Sequence, residues 1–142
     1  MRLSTRSRYG TRLILDLAHY ARNKPISLTE VSKRQGISVK YLEHLTRKLK
    51  SAGLIKSQRG SFGGYMLNKH SNDISVGDIV RTLEEKTAIT DCAESEDKLC
   101  GECNRAGDCL TQWVWIEASK ALFKKLDEIK IANLINSRTD KL

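Results

Sequence analysis

The chain has 142 residues, is 39% hydrophobic and carries a formal net charge of +8. This length suits one compact core with an appended element and excludes two large domains. No apolar run approaches the roughly 20 residues needed to span a bilayer, and the N-terminus lacks the apolar segment of a signal peptide. We therefore expect a cytoplasmic protein without membrane association, in which cysteines stay reduced.

The positive charge is concentrated in the first half of the chain. Residues 1–70 hold 15 Lys or Arg against three acidic residues, a net of +12, whereas residues 71–142 hold 10 against 14, a net of −4. This asymmetry predicts a polyanionic partner for the first half alone. RNA, an anionic membrane or plain solvation of a basic surface would also fit this charge. No basic amphipathic helix with an aromatic apolar face favours the membrane.

Helical periodicity and capping signals predict a helix-turn-helix in the basic half. Apolar residues at helical spacing predict a first helix over residues 7–22. Ser27 and Glu30 form a capping-box pattern that opens a short second helix, which ends at Gly36. A tight turn then leads into a third helix capped by Ser38. This arrangement is typical of a DNA-binding helix-turn-helix.

The third helix is amphipathic, and its polar face is predicted to contact DNA. The apolar face, expected to pack on the domain, consists of Leu42, Leu45, Leu49 and Ala52. The polar face consists of Lys40, Glu43, His44, Arg47 and Ser51. Lysine and arginine reach phosphates or guanine acceptors, and glutamate accepts from cytosine N4. We therefore expect both base reading and phosphate contact from this helix.

A glycine-rich hairpin is predicted to follow the third helix. Residues 54–58 and 65–67 have the pattern of two strands, and residues 59–64 form a tip with three glycines. A hairpin in this position is the wing of a winged helix, and Arg59 is placed to enter a groove or grip a phosphate. The candidate DNA contacts are Arg2, Ser38, Lys40, Tyr41, Glu43, His44, Arg47, Arg59 and Ser61.

The second half is predicted to contain a long helix that mediates dimerisation. A second capping box at Ser75 and Asp78 opens a helix that runs to about Glu85. From Cys109 to about Ile129 the pattern predicts one helix of roughly 30 Å. Its apolar face is wider than one packed surface needs, which favours a twofold homodimer, although the helix could instead fold back over its own domain.

The predicted fold class is therefore mainly α with a small β-hairpin wing. Residues 1–87 would form a winged helix-turn-helix domain. Residues 88–108 would form a cysteine-containing, cluster-binding loop. Residues 109–142 would form the dimerisation helix and a C-terminal tail with one further short helical turn.

Four cysteines lie within 18 residues, and the rest of the chain has none: Cys92, Cys100, Cys103 and Cys109. Structural zinc sites usually pair two Cys-x2-Cys units, and only one is present here. Irregular spacing on a loop favours an iron–sulfur cluster that the loop can wrap. The helix dipole at Cys109 would lower the pKa of its thiol and favour ligation. Zinc and a thiol redox switch stay open as alternatives. No catalytic constellation is present, so we do not expect an enzyme.

The chain resembles the IscR-like iron–sulfur regulators of the Rrf2 superfamily of winged-helix transcription factors, which also includes the NsrR and CymR branches. The resemblance covers nearly the whole chain. It is carried by Met1-Arg2-Leu3, Arg8-Tyr9, Gln35-Gly36-Ile37-Ser38, Tyr41-Leu42-Glu43, Gly53-Leu54, Arg59-Gly60-x-x-Gly63-Gly64-Tyr65-x-Leu67, Ser75-Val76-Gly77-Asp78-Ile79 and Cys109-Leu110-Thr111.

The resemblance implies a homodimeric transcription factor with a cluster near the dimer interface. It assigns DNA contact to Ser38, Tyr41, Glu43 and Arg59. It also assigns cluster ligation to three cysteines, and Cys92, Cys103 and Cys109 stand at the matching positions.

Two departures from the family pattern concern the cluster. IscR-like proteins have a histidine three residues after the last cysteine, where this chain has Gln112, and this chain has the additional Cys100. The simplest hypothesis is an all-cysteine site in which Cys100 replaces the histidine. A 2Fe–2S cluster is favoured, with 4Fe–4S as in the NsrR branch as the alternative.

The sequence thus predicts a homodimeric regulator that binds specific double-stranded DNA under the control of an iron–sulfur cluster. One alternative is a zinc-stabilised winged-helix DNA-binding protein without cluster sensing. Another is a cluster carrier in which the winged helix is vestigial.

Overall fold

The structure is a computed structural model, and it describes residues 3–94, 103–105 and 107–137. The described residues form a mainly helical fold with one two-stranded antiparallel sheet, as predicted. The helices are α1 (Thr5–Tyr20), α2 (Leu28–Gln35), α3 (Val39–Ser51), α4 (Val76–Leu83), α5 (Leu110–Glu128) and α6 (Ile131–Ser137); the strands are β1 (Ile55–Gln58) and β2 (Gly64–Leu67); short 3-10 helices span Ser71–Asp73 and Asp91–Ala93.

The helix starts follow from local capping chemistry. Both predicted capping boxes are present: Ser27 and Glu30 cap α2, and Ser75 and Asp78 cap α4. Each pair satisfies backbone N–H groups that the first helical turn leaves unpaired. The α2 helix ends at Gly36, whose φ of 64° is the left-handed conformation that glycine adopts without strain.

Two predicted helix ends differ from the structure because of Glu84. The α4 helix ends at Leu83, two residues earlier than predicted, since Glu84 has an extended backbone. Its carboxylate accepts hydrogen bonds from the backbone N–H (3.0 Å) and hydroxyl (2.7 Å) of Ser4. Ser4 also caps α1, which therefore begins at Thr5, two residues earlier than predicted. Glu84 thus joins the start of α1 to the end of α4.

One apolar core holds the helices together. It contains Leu13 and Leu17 of α1, Leu45 of α3, and Ile79 of α4, all fully buried. The C-terminal α6 returns to this core with Ile131, which is also fully buried. The sequence predicted a short helical turn at this position but not its packing against α1.

Backbone hydrogen bonds fix the return of the chain after α5. The N–H of Val76 donates to Ile129 O (3.0 Å), and the N–H of Ile131 donates to Ile74 O (3.0 Å). One prediction for α3 was wrong: Ala52 is exposed and is not part of the buried face. It serves as the C-cap of α3 and lies past the last apolar turn. No helix in the described part of the chain is both long and apolar enough to cross a membrane.

A buried carboxylate fixes α2 against α1. Asp16 has no solvent exposure, and its two oxygens accept hydrogen bonds from Arg34 Nε (3.0 Å) and Nη2 (2.7 Å). Gln35 Nε2 donates a third hydrogen bond at 2.8 Å. The Arg34 guanidinium also lies 4.3 Å from the ring centre of Tyr20. The hydrogen bond to Asp16 raises the pKa of Arg34, so the guanidinium stays ionised.

Replacing Asp16 should destabilise the fold markedly. In Asp16→Asn the amide keeps the shape of the side chain but leaves Arg34 without its counter-ion, which should lower the free energy of unfolding by about 2–3 kcal/mol. Urea unfolding followed by circular dichroism measures this change. The matched control is Glu117→Gln, which removes an exposed ion pair with Lys120 (3.3 Å) and should cost under about 0.5 kcal/mol. Equal effects in the two variants would contradict the assigned role of Asp16.

Candidate functional site

The α3 helix presents the predicted polar face to solvent. Leu42, Leu45 and Leu49 are fully buried, so the helix is anchored on one side only. The exposed side chains of the opposite face include Lys40, Glu43, His44 and Arg47, and Ser38 is exposed at the N-cap. The structure therefore brings five of the predicted DNA-contacting residues together on one helix. Their contact with DNA stays a prediction.

Tyr41 lies at the border between this face and the core. Its ring is half-buried and packs edge-on against Tyr9, with ring centres 5.8 Å apart. The centre of the His44 ring lies 6.4 Å from that of Tyr41. Tyr41 is thus held in place by its neighbours while one edge stays accessible. The buried Thr46, whose hydroxyl donates to Glu43 O (3.0 Å), is a polar residue that periodicity did not mark as core.

The wing is a hairpin that a third segment extends. Ile55 pairs with Leu67 and Gln58 with Gly64, so β1 and β2 pair over their full length. Ile26 bridges to Tyr65 on the other side of β2 through hydrogen bonds of 3.0 and 2.8 Å. A Cβ at Gly64 would lie 2.4 Å from Ile26 O, so only glycine permits this pairing. The preceding loop thereby fixes the base of the wing.

A tight turn closes the tip of the wing. The N–H of Gly63 donates to Gly60 O at 2.9 Å. Ser61 and Phe62 are therefore the central residues of the turn, and both are exposed together with Arg59. Two residues before Arg59, Ser57 Oγ accepts a hydrogen bond from Lys50 Nζ at 2.6 Å, which ties α3 to β1. The turn places both predicted wing contacts at the tip, and the contact with α3 holds the strand that leads to it.

The surface formed by α3 and the wing is strongly basic. Residues 33–72 contain nine Lys or Arg and a single acidic residue, Glu43. Such a surface attracts the phosphates of a nucleic acid. The remaining predicted contact, Arg2, lies outside the described residues.

Three of the four cysteines lie in the described part of the chain, and Cys100 lies outside it. Cys92 belongs to the short 3-10 helix, and its Sγ lies 3.3 Å from Thr90 Oγ1. Cys103 is exposed, and its Sγ accepts from the N–H of Arg105 at 3.5 Å. Within residues 3–94, 103–105 and 107–137, no group of three His, Cys, Asp or Glu side chains could hold a metal ion as placed.

Cys109 is the N-cap of α5. Its Sγ lies 2.9 Å from Thr111 Oγ1. Hydrogen bonds from the Thr111 hydroxyl and from the backbone N–H groups of Gln112 and Thr111 lower the pKa of the Cys109 thiol. The sequence predicted this direction from the position of Cys109 at the helix start. A stabilised thiolate is the form that binds iron or zinc, so the donor chemistry fits either metal.

Gln112 links the two ends of the cysteine loop. Its side chain is 4% exposed. Nε2 donates to Cys92 O at 2.7 Å, and Oε1 accepts from the N–H of Gly107 at 2.7 Å. The sequence identified this position only as the place of the missing family histidine. The buried amide instead holds the backbone of Cys92 close to the segment that leads into Cys109.

A second buried polar side chain, Ser119, secures the same loop two turns further along α5. Its hydroxyl accepts from the N–H of Ile89 at 3.0 Å and donates to Trp115 O at 2.8 Å. Gln112 and Ser119 therefore face the loop together. Periodicity did not predict either contact, because it marks buried positions only by apolar residues and both of these side chains are polar.

One side of α5 carries large apolar side chains exposed to solvent. Leu110 is 85%, Trp113 63% and Val114 45% exposed. These three side chains belong to neighbouring positions of one helix and form a patch, whereas exposed apolar residues on an ordinary monomer surface are scattered singly. The patch coincides with the face on which the sequence predicted a second copy of the chain.

The base of α5 is joined to α4 by Asp127. Both Asp127 oxygens accept hydrogen bonds from the Arg81 guanidinium, at 2.7 and 2.6 Å. These hydrogen bonds lower the pKa of Asp127. The Arg81 guanidinium also lies 4.6 Å from the ring centre of Phe123. Because a Cβ at Gly77 would lie 2.0 Å from Asp127 Oδ1, the absence of a side chain there allows this close approach.

The fold and this surface define a winged helix-turn-helix transcriptional regulator. The family model of Rrf2, described as an iron-dependent transcriptional regulator, matches residues 3–137. The chain therefore belongs to the Rrf2 family, and it is an IscR-like member, as the sequence predicted. Since the family and its structural neighbours are transcriptional regulators, the prediction that the chain is not an enzyme is confirmed.

The chain is similar in sequence or structure to the following three proteins. The protein rrf2 of Nitratidesulfovibrio vulgaris is 47% identical over 135 residues, covering 95% of this chain and 87% of the relative. The structure of T. potens IscR is 35% identical with a TM-score of 0.76, covering 96% of this chain and 88% of the other. The structure of CymR, the global cysteine regulator of B. subtilis, is 31% identical with a TM-score of 0.75, covering 96% and 98%.

Removing the Gln112 amide should loosen the cysteine loop. Gln112→Ala leaves Cys92 O and the Gly107 N–H without their partner, which should lower the free energy of unfolding by about 1–3 kcal/mol. Gln112→Glu keeps the acceptor for Gly107 but removes the donor to Cys92. Hydrogen exchange of residues 88–94 in the metal-free protein, measured by mass spectrometry, should accelerate in both variants. The matched control is Gln58→Ala on the exposed wing strand, and exchange as slow as in this control would contradict the bridging role.

Proposed function

We propose that the chain is a homodimeric, cytoplasmic regulator that binds specific double-stranded DNA and whose affinity is controlled by an iron–sulfur cluster. The observation on which the proposal depends is that two features occur in one chain. One is the basic surface formed by α3 and the wing, and the other is the stabilised thiolate of Cys109 at the start of α5, a helix that packs against the same domain. The cluster would be held by Cys92, Cys100, Cys103 and Cys109. A 2Fe–2S cluster is favoured, and a 4Fe–4S cluster is the alternative.

The recognition surface supports reading of the major groove by α3. Lys40 and Arg47 lie where they can reach phosphates or guanine acceptors. Glu43 is the one acidic side chain on this basic surface, and it would repel phosphates unless it accepts from a cytosine amino group. Arg59 and Ser61 at the wing tip would bind the adjacent backbone or groove. Ser38, Tyr41, His44 and Arg2 complete the proposed set.

The exposed apolar face of α5 supports a twofold dimer. Pairing Leu110, Trp113 and Val114 with the same residues of a second copy would remove them from water, with a gain of roughly 25 cal/mol per Å² of apolar surface buried. In this proposal the two α3 helices lie on one side of the dimer. Such a dimer reads two half-sites about 34–36 Å apart on a near-palindromic sequence.

The packing between helices offers a route from the cysteines to DNA. The cysteine loop is fixed to α5 through Gln112, and the base of α5 is fixed to α4 through Asp127. The α4 helix in turn packs against α1 and α3. If these cysteines held an iron–sulfur cluster, its metal–sulfur bonds would draw the cysteine loop together. Loop closure around these bonds would shift α5 and, through Asp127, the position of α3.

A second candidate is a DNA-binding regulator without cluster sensing, which zinc would stabilise. The observation in its favour is the similarity to the structure of CymR, the global cysteine regulator of B. subtilis. Metal content separates the two candidates, since zinc-loaded protein is colourless.

Anaerobic purification tests the cluster and its control of DNA binding. We expect coloured protein that contains equal amounts of iron and sulfide. Its Mössbauer spectrum should distinguish a 2Fe–2S from a 4Fe–4S cluster. The loaded and stripped forms should differ in affinity for DNA selected from a random-sequence library by about fivefold to 100-fold, the range of typical couplings. Cys109→Ser should lower the iron content, while Ser57→Ala on the wing should not. Equal affinities of the loaded and stripped forms would contradict the proposal. Protein that contains zinc and no iron would favour the second candidate.

Two substitutions test the recognition surface. Arg59→Ala should weaken binding to all sequences and reduce the slope of log affinity against log salt by about one, because one phosphate contact is lost. Glu43→Ala should alter the selected sequence more than the affinity. Gel-shift titrations at several salt concentrations measure both effects. Lys124→Ala removes an exposed cation from α5 and serves as the control; if it matched Arg59→Ala, net charge alone would explain the effect.

A further inference from the structure

The wing tip carries a large apolar side chain with almost no protein contact. Phe62 is 91% exposed, the highest value among the large hydrophobic residues of the described chain. The exposed residues Leu110, Trp113 and Val114 lie on the proposed dimer face of α5. Phe62 lies instead within the basic recognition surface and has no role in the dimer proposed above.

The turn holds Phe62 at the apex of the wing. The Gly63 N–H to Gly60 O hydrogen bond of 2.9 Å makes Phe62 the third of four turn residues. A Cβ at Gly63 would come within 2.2 Å of Gln58 O, so the chain reverses more tightly than other residues allow. The aromatic ring therefore projects from the end of a short, closed hairpin.

The surroundings of Phe62 indicate what covers it. A single exposed apolar side chain is ordinary on a protein surface. Here, however, residues 33–72 hold nine basic residues against one acidic residue, so the partner of this surface is an anion. Duplex DNA is an anion that also offers an apolar site, the space between stacked base pairs. Phenylalanine is one of the residues that enter this space from the minor groove.

The length of the wing fits this placement. Each strand has four residues, so the hairpin is roughly 13 Å long. Half of the helical repeat of DNA, which separates neighbouring major and minor grooves on one face, is about 17 Å. Lys50 and Ser57 fix the wing to the last turn of α3. With α3 in the major groove, the tip would reach the adjacent minor groove.

We propose that Phe62 is an apolar wedge that enters the minor groove beside the α3 site and partly unstacks one base step. This inference rests on the proposed DNA-binding function. The ring loses its exposure to water and stacks on a base, which offsets the cost of unstacking. The duplex then bends toward the major groove and brings more backbone against Arg59 and the basic surface.

The experiment uses the full chain and the duplex that the wild-type protein selects from a random-sequence library. Phe62→Ala should bind this duplex about tenfold more weakly, as expected for the loss of one base–aromatic contact. The wild-type protein should bend the duplex, measured by energy transfer between dyes at its ends, and should raise 2-aminopurine fluorescence at one step. Phe62→Ala should lose both signals, and Phe62→Leu should keep part of them.

The salt dependence separates a wedge from a phosphate contact. Phe62→Ala should leave the slope of log affinity against log salt unchanged, whereas Arg59→Ala should reduce it. Thermal unfolding of Phe62→Ala should match that of the wild-type protein, since the ring packs on almost nothing. If Phe62→Ala kept the affinity, the bend and the 2-aminopurine signal, the wedge proposal would be wrong and the proposed DNA-binding function would stand. Failure of the wild-type protein to select any duplex would overturn the proposed function and the wedge with it.

Discussion

The buried carboxylate of Asp16 is the constraint on which the recognition surface depends. A carboxylate without solvent is stable only when its oxygens are fully paired, and Arg34 and Gln35 supply three hydrogen bonds. Both partners lie in the last turn of α2, so the ion pair sets the position of that turn against the middle of α1. Because Gly36 leads directly from this turn to the Ser38 cap of α3, the orientation of α3 follows from the same contact.

A second polar junction connects this domain to the helix that carries the cysteine site. Asp127 binds Arg81 with two hydrogen bonds, and Gly77 leaves room for the carboxylate. The pair is roughly half exposed, so its contribution to stability is small, about 1 kcal/mol or less. Its effect is geometric, because a bidentate pair fixes direction as well as distance. Under the proposed function, a displacement of α5 at the cysteines would therefore be transmitted to α4 instead of being absorbed at the joint.

The sequence predicted what local chemistry determines. Capping boxes located the starts of α2 and α4, and the glycine-rich run located the wing, since each signal lies within a few residues. Contacts between distant residues escaped prediction. Asp16 and Arg34 are 18 residues apart, and the 80-residue separation of Ser4 and Glu84 explains two misplaced helix ends. The DNA contacts stay predictions, because exposure on one face does not identify a base or a phosphate.

The residue at position 112 shows how one side chain affects both the folding and the chemistry of the cysteine site. A glutamine amide donates and accepts at once, so Gln112 can bind Cys92 O and the Gly107 N–H without any metal. A metal-bound histidine has one nitrogen committed to the metal and only one left for the backbone. Under the proposed function, Gln112 thus preorganises the backbone around Cys92 and Cys109 and leaves ligation to thiolates. With four thiolates the cluster would carry more negative charge than with a histidine, and its reduction potential would be lower. In that proposal, glutamine at this position favours a loop that is partly formed before the cluster arrives and a cluster that is harder to reduce.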